Sequence, residues 1–250
     1  MSAGPRAYKT SAIVLRARNL GEADKIYTLF TLERGKVDAV GKGVRRANSR
    51  LAGKLEFMSE TALTLHRGRN LDIITGAQIE RARWAAIVAP AGFATAHVLA
   101  ELVDAFCELD FAMPEIYALL RGALQALARS SEPAIIVPRF ELRLLVALGL
   151  GPACDTCVRC GNSLAGEAAW ADVAAGGLAC ERCRPHRADT LSLAAPDVTN
   201  FRGLAAGPGG AVQPETLATP ASARAVEAFL LWQLGKRPKS SKLLEELAHA

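Results

Sequence analysis

Hydrophobic and polar positions alternate over short runs in the first forty residues, a pattern typical of β-strands. Residues 11–17, 26–32 and 37–40 are rich in β-branched and aromatic side chains, so they predict three strands. Polar and glycine residues at 19–24 separate the first two runs. Residues 33–36, with the sequence Glu-Arg-Gly-Lys, are a tight hairpin signal because glycine tolerates a positive φ. The chain is therefore predicted to begin as β-structure.

A polar connection over residues 41–54 follows these strands. Two further strand patterns lie at residues 61–66 and 71–79, with turn residues 68–70 between them. Five short strands with one long connection after the third fit a small closed barrel of the OB type. An SH3-like barrel has strands of similar period, so periodicity alone leaves it open as an alternative.

From about residue 90 the spacing of apolar residues changes to three and four, which is the period of helices. Pro114 and Pro133 lie where two of these helices begin. Helices are predicted over residues 91–109, 114–129, 133–150, 196–204, 221–234 and 239–249. The predicted fold class is α+β and multidomain, with an OB-type barrel over residues 1–83, an all-α domain over residues 84–152 and 186–250, and a cysteine-rich insert over residues 153–185.

One stretch, residues 84–100, is apolar and free of formal charge. It contains Pro90, Gly92 and His97 and is short for a membrane span. We interpret it as a buried helix, since buried helices are apolar on all sides. The first residues also lack the apolar core of a secretory signal. The expected location is the cytoplasm.

Charge is distributed unevenly along the chain. Residues 1–83 contain sixteen basic and eight acidic residues and carry a net charge of +8, whereas residues 84–250 carry −3. A basic part joined to an acidic part predicts that the basic part binds a polyanion.

The connection between Asp38 and Glu56 contains five basic residues and no acid. A mobile cationic loop on a barrel suits contacts with phosphates, which are independent of nucleic-acid sequence. Tyr27 and Phe30 share one predicted strand and could stack on bases, as aromatic residues of OB barrels do. Because they are three residues apart, they cannot both face the binding groove of a regular strand, so at least one is expected in the core.

Five of the six cysteines lie within thirty residues. In a cytosolic chain such clustering indicates metal rather than disulfides. Two C-x-x-C pairs, Cys157 with Cys160 and Cys180 with Cys183, have the spacing of a four-cysteine zinc site. Four protein ligands leave no open position, so the zinc would be structural. Cys154 also forms a C-x-x-C pair with Cys157, which leaves the exact ligand set open.

Motifs of catalysis are absent from the sequence. There is no phosphate-binding G-x-x-x-x-G-K-[ST] loop and no G-x-S-x-G nucleophile elbow, and the four histidines form no H-E-x-x-H pattern. The prediction is a protein that binds and does not catalyse. A zinc-ribbon factor with an OB barrel that binds RNA in transcription or translation is the alternative function.

Several runs of the chain resemble the RecO family of bacterial recombination mediators. They are residues 8–15 (Tyr-Lys-Thr-Ser-Ala-Ile-Val-Leu), 21–25 (Gly-Glu-Ala-Asp-Lys), 31–36 (Thr-Leu-Glu-Arg-Gly-Lys), 41–46 (Gly-Lys-Gly-Val-Arg-Arg) and 238–244 (Pro-Lys-Ser-Ser-Lys-Leu-Leu). The cysteine insert matches the zinc-bearing branch of that family. The resemblance spans nearly the whole chain in the right order.

This resemblance implies a non-enzymatic role in DNA repair at the nucleoid. Members bind single- and double-stranded DNA, anneal complementary strands and, with RecR, help to load RecA onto DNA coated by single-strand-binding protein. The expected docking surfaces for RecR and for the acidic tail of single-strand-binding protein are the helices within residues 91–150 and 221–249. The resemblance carries over as DNA contacts Arg34, Lys36, Lys42, Arg45 and Arg46, and the charge of the connection adds Arg50 and Lys54.

Overall fold

The structure is a computed structural model, and it describes residues 7–82, 87–130, 132–186, 190–206 and 217–248. These residues divide into two compact units, with the boundary at Ser130 and Ser131. The first unit contains five strands and two helices. The second contains three short strands and four helices, counted over the described residues. Each unit has its own buried core.

The first unit is built on a closed five-stranded barrel with the strand order β1-β2-β3-β5-β4 and with β4 returning to β1. All neighbours are antiparallel except β3 and β5, which pair in parallel. The strands are β1 (Ala7–Leu20), β2 (Asp24–Thr31), β3 (Gly35–Gly41), β4 (Glu60–His66) and β5 (Asp72–Arg81). The OB-type barrel predicted from the sequence is confirmed.

Strand β1 is twice as long as the sequence pattern indicates because it pairs on both sides. Its first half, Ala7 to Ile13, pairs with β4, and its second half, from Ala12 onward, pairs with β2. The register shifts between Val14 and Arg16, which makes Leu15 a bulge. A bulge bends a strand, and this bend lets one strand close the barrel.

The barrel interior is filled by alternate residues of the strands, as expected for a small barrel. On β2, for example, Tyr27 and Leu29 point inward, whereas Phe30 points outward and its ring centre lies 6.1 Å from that of Tyr117. The interior cluster contains Ala12, Val14, Tyr27, Leu29, Ala39, Val44, Leu51, Leu55, Leu63, Leu65 and Ile74.

Two helices complete the first unit, α1 (Pro90–Phe106) and α2 (Pro114–Leu127). Both begin with proline, which needs no N–H partner in the first turn. α1 is buried along most of its length. Residues 84–86, the start of the apolar stretch noted above, lie outside the described residues. Within the described part of the chain, no helix is long and apolar enough to cross a membrane.

The second unit packs helices beside a small three-stranded sheet. α3 (Ile136–Ala147) follows a 3₁₀ turn at Pro133–Ile135, and it packs against α4 (Ala195–Ala205) and α5 (Pro220–Leu234). Phe201 and Phe229 meet in this core with ring centres 6.0 Å apart. The sheet has the order β7-β6-β8 and consists of β6 (Ala169–Asp172), β7 (Gly177–Ala179) and β8 (Ser192–Leu193), and the last helix is α6 (Lys239–Ala248).

An ionic cluster around the buried Asp72 joins four segments of the first unit. The Arg34 guanidinium, in the β2–β3 turn, lies 2.7 Å from Asp72 at the start of β5 and also pairs with Asp110 after α1. Tyr8 of β1 donates its hydroxyl hydrogen to Asp72 and lies with its ring 4.8 Å below the guanidinium. Burial opposes ionisation of Asp72, but the hydrogen bonds from Tyr8 and Arg34 outweigh it and lower the pKa. We call Tyr8, Arg34, Asp72 and Asp110 the Arg34 cluster.

Gly35 makes this arrangement possible. Its φ is +68°, and a β-carbon at this position would lie 1.8 Å from the carbonyl oxygen of Phe111. The turn and the segment after α1 therefore approach more closely than any side chain allows. The main chain is also bonded there, since Asp110 donates its N–H to the carbonyl oxygen of Lys36 at 2.8 Å.

We expect Arg34→Met to destabilise the barrel by about 2–4 kcal/mol, because it leaves the buried Asp72 carboxylate without its counterion. Adding Asp72→Asn removes that orphaned charge and should recover part of the loss. Hydrogen exchange followed by mass spectrometry measures this on peptides from β1 and β5, while peptides from α3 and α5 serve as the internal control. Equal protection of β1 and β5 in Arg34→Met and wild type would contradict the stabilising role.

Candidate nucleic-acid interface and metal centre

The connection between β3 and β4 lies across one end of the barrel and is held there by three apolar anchors. Val44, Leu51 and Leu55 are buried and belong to the same core cluster as the inward-facing strand residues. Their spacing of seven and four residues brings the chain back to the barrel at each turn. We call residues 42–54 the cationic segment.

Hydrogen bonds hold the cationic segment in a series of turns. The Arg45 N–H donates to the carbonyl of Ala23 at 2.9 Å, and the Gly43 N–H donates to the Asp24 carboxylate at 2.7 Å, so the segment is tied to the β1–β2 turn. Further along, Ser49 donates to Arg46 and Lys54 donates to Leu51. The sequence predicted a polar loop here, and in the structure the anchors and turns give this loop a defined path.

The five basic side chains of the cationic segment are all exposed. They are Lys42, Arg45, Arg46, Arg50 and Lys54. Among the described residues, none of the five takes part in an ion pair, although Arg45 also donates to the carbonyl oxygen of Gly21 at 3.1 Å. Five unpaired cations on a fixed backbone create a concentrated positive potential, which is what a phosphate backbone recognises.

Arg34 and Lys36, also predicted as DNA contacts, are placed differently. The Arg34 side chain is 20% exposed and satisfied within the Arg34 cluster. The Lys36 side chain is 14% exposed, and its ammonium lies 3.1 Å from the Asp104 carboxylate at the end of α1. Both residues lie at the start of β3, whereas the cationic segment follows the end of that strand, so the structure separates them along its length. Their charges are neutralised inside the unit.

Tyr27 and Phe30 are unable to stack on bases. Tyr27 is 2% exposed inside the barrel, and Phe30 is 0% exposed beneath α2. Burial, with Glu56 nearby, raises the pKa of the Tyr27 phenol to about 12. At least one of the two residues was expected in the core, and both lie there. The suggestion that either of them stacks on bases is therefore wrong.

The four predicted zinc ligands come together in the second unit. A first knuckle carries Cys157 and Cys160, and it closes when the Cys157 N–H donates to Asn162 at 2.7 Å and the Gly161 N–H donates to Cys157 at 2.8 Å. A second knuckle carries Cys180 and Cys183, with the Cys183 N–H donating to Cys180 at 2.9 Å. Strands β6 and β7 form the hairpin that returns the second knuckle to the first.

Two contacts that the sequence did not indicate hold the knuckles in register. Arg159, between the first two cysteines, pairs with the buried Asp172 of β6 at 2.6 Å. Gly177 lets the chain before the first knuckle pass close by, since a β-carbon there would lie 2.4 Å from the carbonyl oxygen of Ala153. Arg159 occupies a variable position of its C-x-x-C pair, so no spacing rule marks it.

The sulfur positions suit one metal ion. The ligand atoms of Cys157, Cys160, Cys180 and Cys183 all lie within 4.8 Å of one another, and the Cys160 and Cys180 sulfurs are 3.7 Å apart. A tetrahedral site with metal–sulfur bonds of about 2.3 Å has sulfur–sulfur edges of about 3.8 Å. Cys154 lies outside this group, and its carbonyl oxygen instead accepts hydrogen bonds from Arg202 at 2.7 and 2.9 Å.

Neighbouring groups shift the pKa values of two of the four thiols. Burial disfavours the Cys157 thiolate, but N–H donors from Cys180, Arg159 and Cys160 outweigh this and lower the pKa to about 6. The hydrogen bond with Cys160, followed by burial, raises the pKa of Cys183 to about 12. Four thiolates cannot be held together without a compensating cation, so the group can hold a metal ion and is unfavourable as four anions.

A closed OB-type barrel with an exposed cationic segment, joined to a helical unit with a four-cysteine centre, defines a class of nucleic-acid-binding protein with a metal-binding module. Comparison with known proteins narrows this class. The family model described as Recombination protein O N terminal matches residues 3–83, and that described as Recombination protein O C terminal matches residues 90–242.

Two curated relatives, both named DNA repair protein RecO, come from Bifidobacterium longum strains DJO10A and NCC 2705. Each is 36% identical over 203 residues, which cover 80% of this chain and 83% of the relative. The chain belongs to the RecO family of DNA repair proteins, and the resemblance seen in the sequence is confirmed.

We expect one metal ion per chain, and we expect Cys154→Ser to retain it while Cys157→Ser loses it. Cys154 is the matched control because it is the same residue type three positions away but outside the sulfur cluster. Native mass spectrometry of the intact protein, with metal analysis of the same samples, measures the stoichiometry. Loss of the metal in Cys154→Ser with retention in Cys157→Ser would show that the ligand set is different.

Proposed function

We propose that this protein is a recombination mediator that binds single- and double-stranded DNA through the cationic segment and anneals complementary strands. The observation that carries the proposal is the set of five exposed cations on a backbone fixed by Val44, Leu51 and Leu55. Contacts with phosphates are the same for one strand or two, which supports binding to both forms.

Annealing follows from the same electrostatics. Two complementary strands repel each other through their phosphates, and neutralising part of that charge lowers the repulsion while they pair. This step needs no bond to be broken, so it requires no nucleotide and no catalytic residue. We therefore propose that the protein is not an enzyme.

The proposed DNA-contact set is the cationic segment without Arg34 and Lys36. Replacing either of those residues would remove an internal ion pair, so a loss of DNA binding in such variants would not identify a contact. The five residues proposed to contact phosphates are Lys42, Arg45, Arg46, Arg50 and Lys54.

The metal is proposed to be one structural Zn²⁺. Four cysteine sulfurs are a soft ligand set that favours zinc, and they fill every position of a tetrahedron. A bound zinc would cross-link the two knuckles. It would have no open position for a substrate. Arg159 and Asp172 would hold the first knuckle in place around it.

Partners are proposed from membership of the family. They are RecR, the acidic C-terminal tail of single-strand-binding protein and, indirectly, RecA, which is loaded onto DNA coated by single-strand-binding protein. We propose that the helical faces within residues 91–150 and 221–249 dock the protein partners. The corresponding location is the nucleoid in the cytoplasm.

We expect the triple variant Lys42→Ala, Arg45→Ala, Arg46→Ala to bind DNA more weakly and with a smaller dependence on salt. Each phosphate contact contributes about 0.9 to the slope of log K against log salt for duplex and about 0.7 for single strands, so the slope should fall by roughly 2 to 3. Fluorescence anisotropy of labelled oligonucleotides at several salt concentrations measures it.

The matched control for this variant removes three exposed charges from the second unit, with Arg182→Ala, Lys236→Ala and Lys242→Ala. It changes the net charge equally and should change the slope far less. We call the Lys42→Ala, Arg45→Ala, Arg46→Ala protein the cationic-segment variant. A wild-type slope in this variant would show that the cationic segment does not contact DNA.

We expect the protein to anneal complementary strands in the absence of any nucleotide, because charge neutralisation is the whole mechanism. Annealing is measured as the loss of donor fluorescence when two labelled strands pair, and the cationic-segment variant should anneal more slowly. A strict requirement for ATP would contradict the non-enzymatic proposal. Competition between single-stranded DNA and a structured RNA tests the alternative function, since an RNA-binding factor would prefer the RNA.

A further inference from the structure

Three aromatic rings cluster beside the cationic segment. The ring of His97, on α1, lies with its centre 4.3 Å from that of Phe57 at an interplanar angle of 20°, so the two rings are stacked. Phe93, one turn earlier on α1, meets the same imidazole edge-on with centres 4.3 Å apart. The two phenyl rings are 6.3 Å apart. We call Phe57, Phe93 and His97 the aromatic cluster.

The aromatic cluster is open to solvent at Phe93, which is 44% exposed. Phe57 and His97 are partly exposed beneath it and restrict the orientation of the Phe93 ring. Such a ring offers area for contact without a large loss of conformational entropy on binding, because its partners already limit its rotamers.

The aromatic cluster also lies within reach of the cationic segment. Phe57 follows Lys54 by three residues, a separation of at most about 11 Å along the chain. A cation that binds phosphate and a ring that stacks on a base are thus close enough to contact neighbouring nucleotides of one strand. This combination is the usual basis of single-strand binding.

His97 acts as a third apolar ring in this arrangement. Burial lowers the pKa of its imidazole, and Glu101 only partly opposes that effect. This shift favours the neutral imidazole, so that the cluster offers aromatic surface.

Other described aromatic residues of the first unit are less suited to this role. Tyr27, Phe30 and Tyr117 are buried, and Tyr8 is engaged in the Arg34 cluster. Phe111 is 59% exposed, but its main chain lies against Gly35 at the start of β3, whereas the cationic segment follows the end of that strand.

We propose that Phe93, held by Phe57 and His97, stacks on a base of single-stranded DNA whose phosphates are bound by the cationic segment. The inference rests on the proposed function and adds to it a residue that distinguishes single strands from duplexes. In a duplex the bases are already stacked on one another, so the ring has no free base to contact.

The test compares Phe93→Ala with the matched control Phe111→Ala, both in the full-length protein. A stacked base contributes a factor of about fivefold to 150-fold in affinity when its aromatic partner is changed to alanine. We expect Phe93→Ala to lose affinity for an oligothymidylate by a factor in this range, with an unchanged salt slope because no phosphate contact is removed. Affinity for a duplex and for an abasic strand of equal length should not change, and Phe111→Ala should match wild type throughout.

A second variant, Phe93→Trp, keeps the aromatic surface and should retain affinity. Its added indole should be quenched by oligothymidylate and not by the abasic strand, measured against the background of the wild-type protein's three tryptophans. Wild-type affinity in Phe93→Ala, or equal quenching by both strands, would overturn the stacking inference. If stacking fails this test but the cationic-segment variant still shows a reduced salt slope, the proposed function stands. An unaltered slope in the cationic-segment variant overturns both the stacking inference and the proposed function.

Discussion

Asp72 is a buried carboxylate at the start of β5, and the first unit is organised around satisfying it. A charge removed from water is tolerated only when counterions and hydrogen-bond donors surround it. Here the donors come from Tyr8 of β1 and from Arg34 in the β2–β3 turn, and Arg34 in turn reaches Asp110 after α1. One buried charge thereby links the first strand, the hairpin, the last strand and the segment between the two helices. Gly35 provides the close approach on which this geometry depends.

The Arg34 cluster neutralises the positive charge of Arg34 in the β2–β3 turn, so this residue adds little to the positive potential that a ligand meets. Lys36 is neutralised in the same way by Asp104. The cationic segment keeps its charge exposed because the anchors that hold it to the barrel are apolar: Val44 and Leu51 within the segment, and Leu55 directly after it. Burial thus separates the basic residues of the β2–β3 turn, which stabilise the fold, from those of the cationic segment, which stay exposed. The exposed set is held on a fixed backbone, so less conformational entropy is lost on binding than a mobile loop would lose.

Local patterns in the sequence predicted most elements and the four clustered cysteines. Strand period, the Glu-Arg-Gly-Lys turn, helix-starting prolines and C-x-x-C spacing all act over a few residues, so they can be read without knowing the fold. The features that were missed depend on contacts between distant residues. Nothing near Arg34 in sequence marks its partners, which are 38 and 76 residues away. Phe57 and Phe93 are likewise brought together only by the packing of α1, and the double pairing of β1 follows from barrel closure.

The two kinds of chemistry in the chain depend on different forces and lie in different units. The phosphate binding proposed above relies on exposed charge over a core built from apolar strands and one ionic cluster, and all of the residues proposed for it precede Ser130. The cysteine centre is carried by a small sheet with strands of two to four residues, so a metal bound by the four cysteines would add to the stability that apolar burial supplies there. Coordination of a metal and apolar burial would thus order the chain in two different ways. A bound metal would therefore act within the second unit, whereas the exposed charge of the first unit is set independently by the barrel.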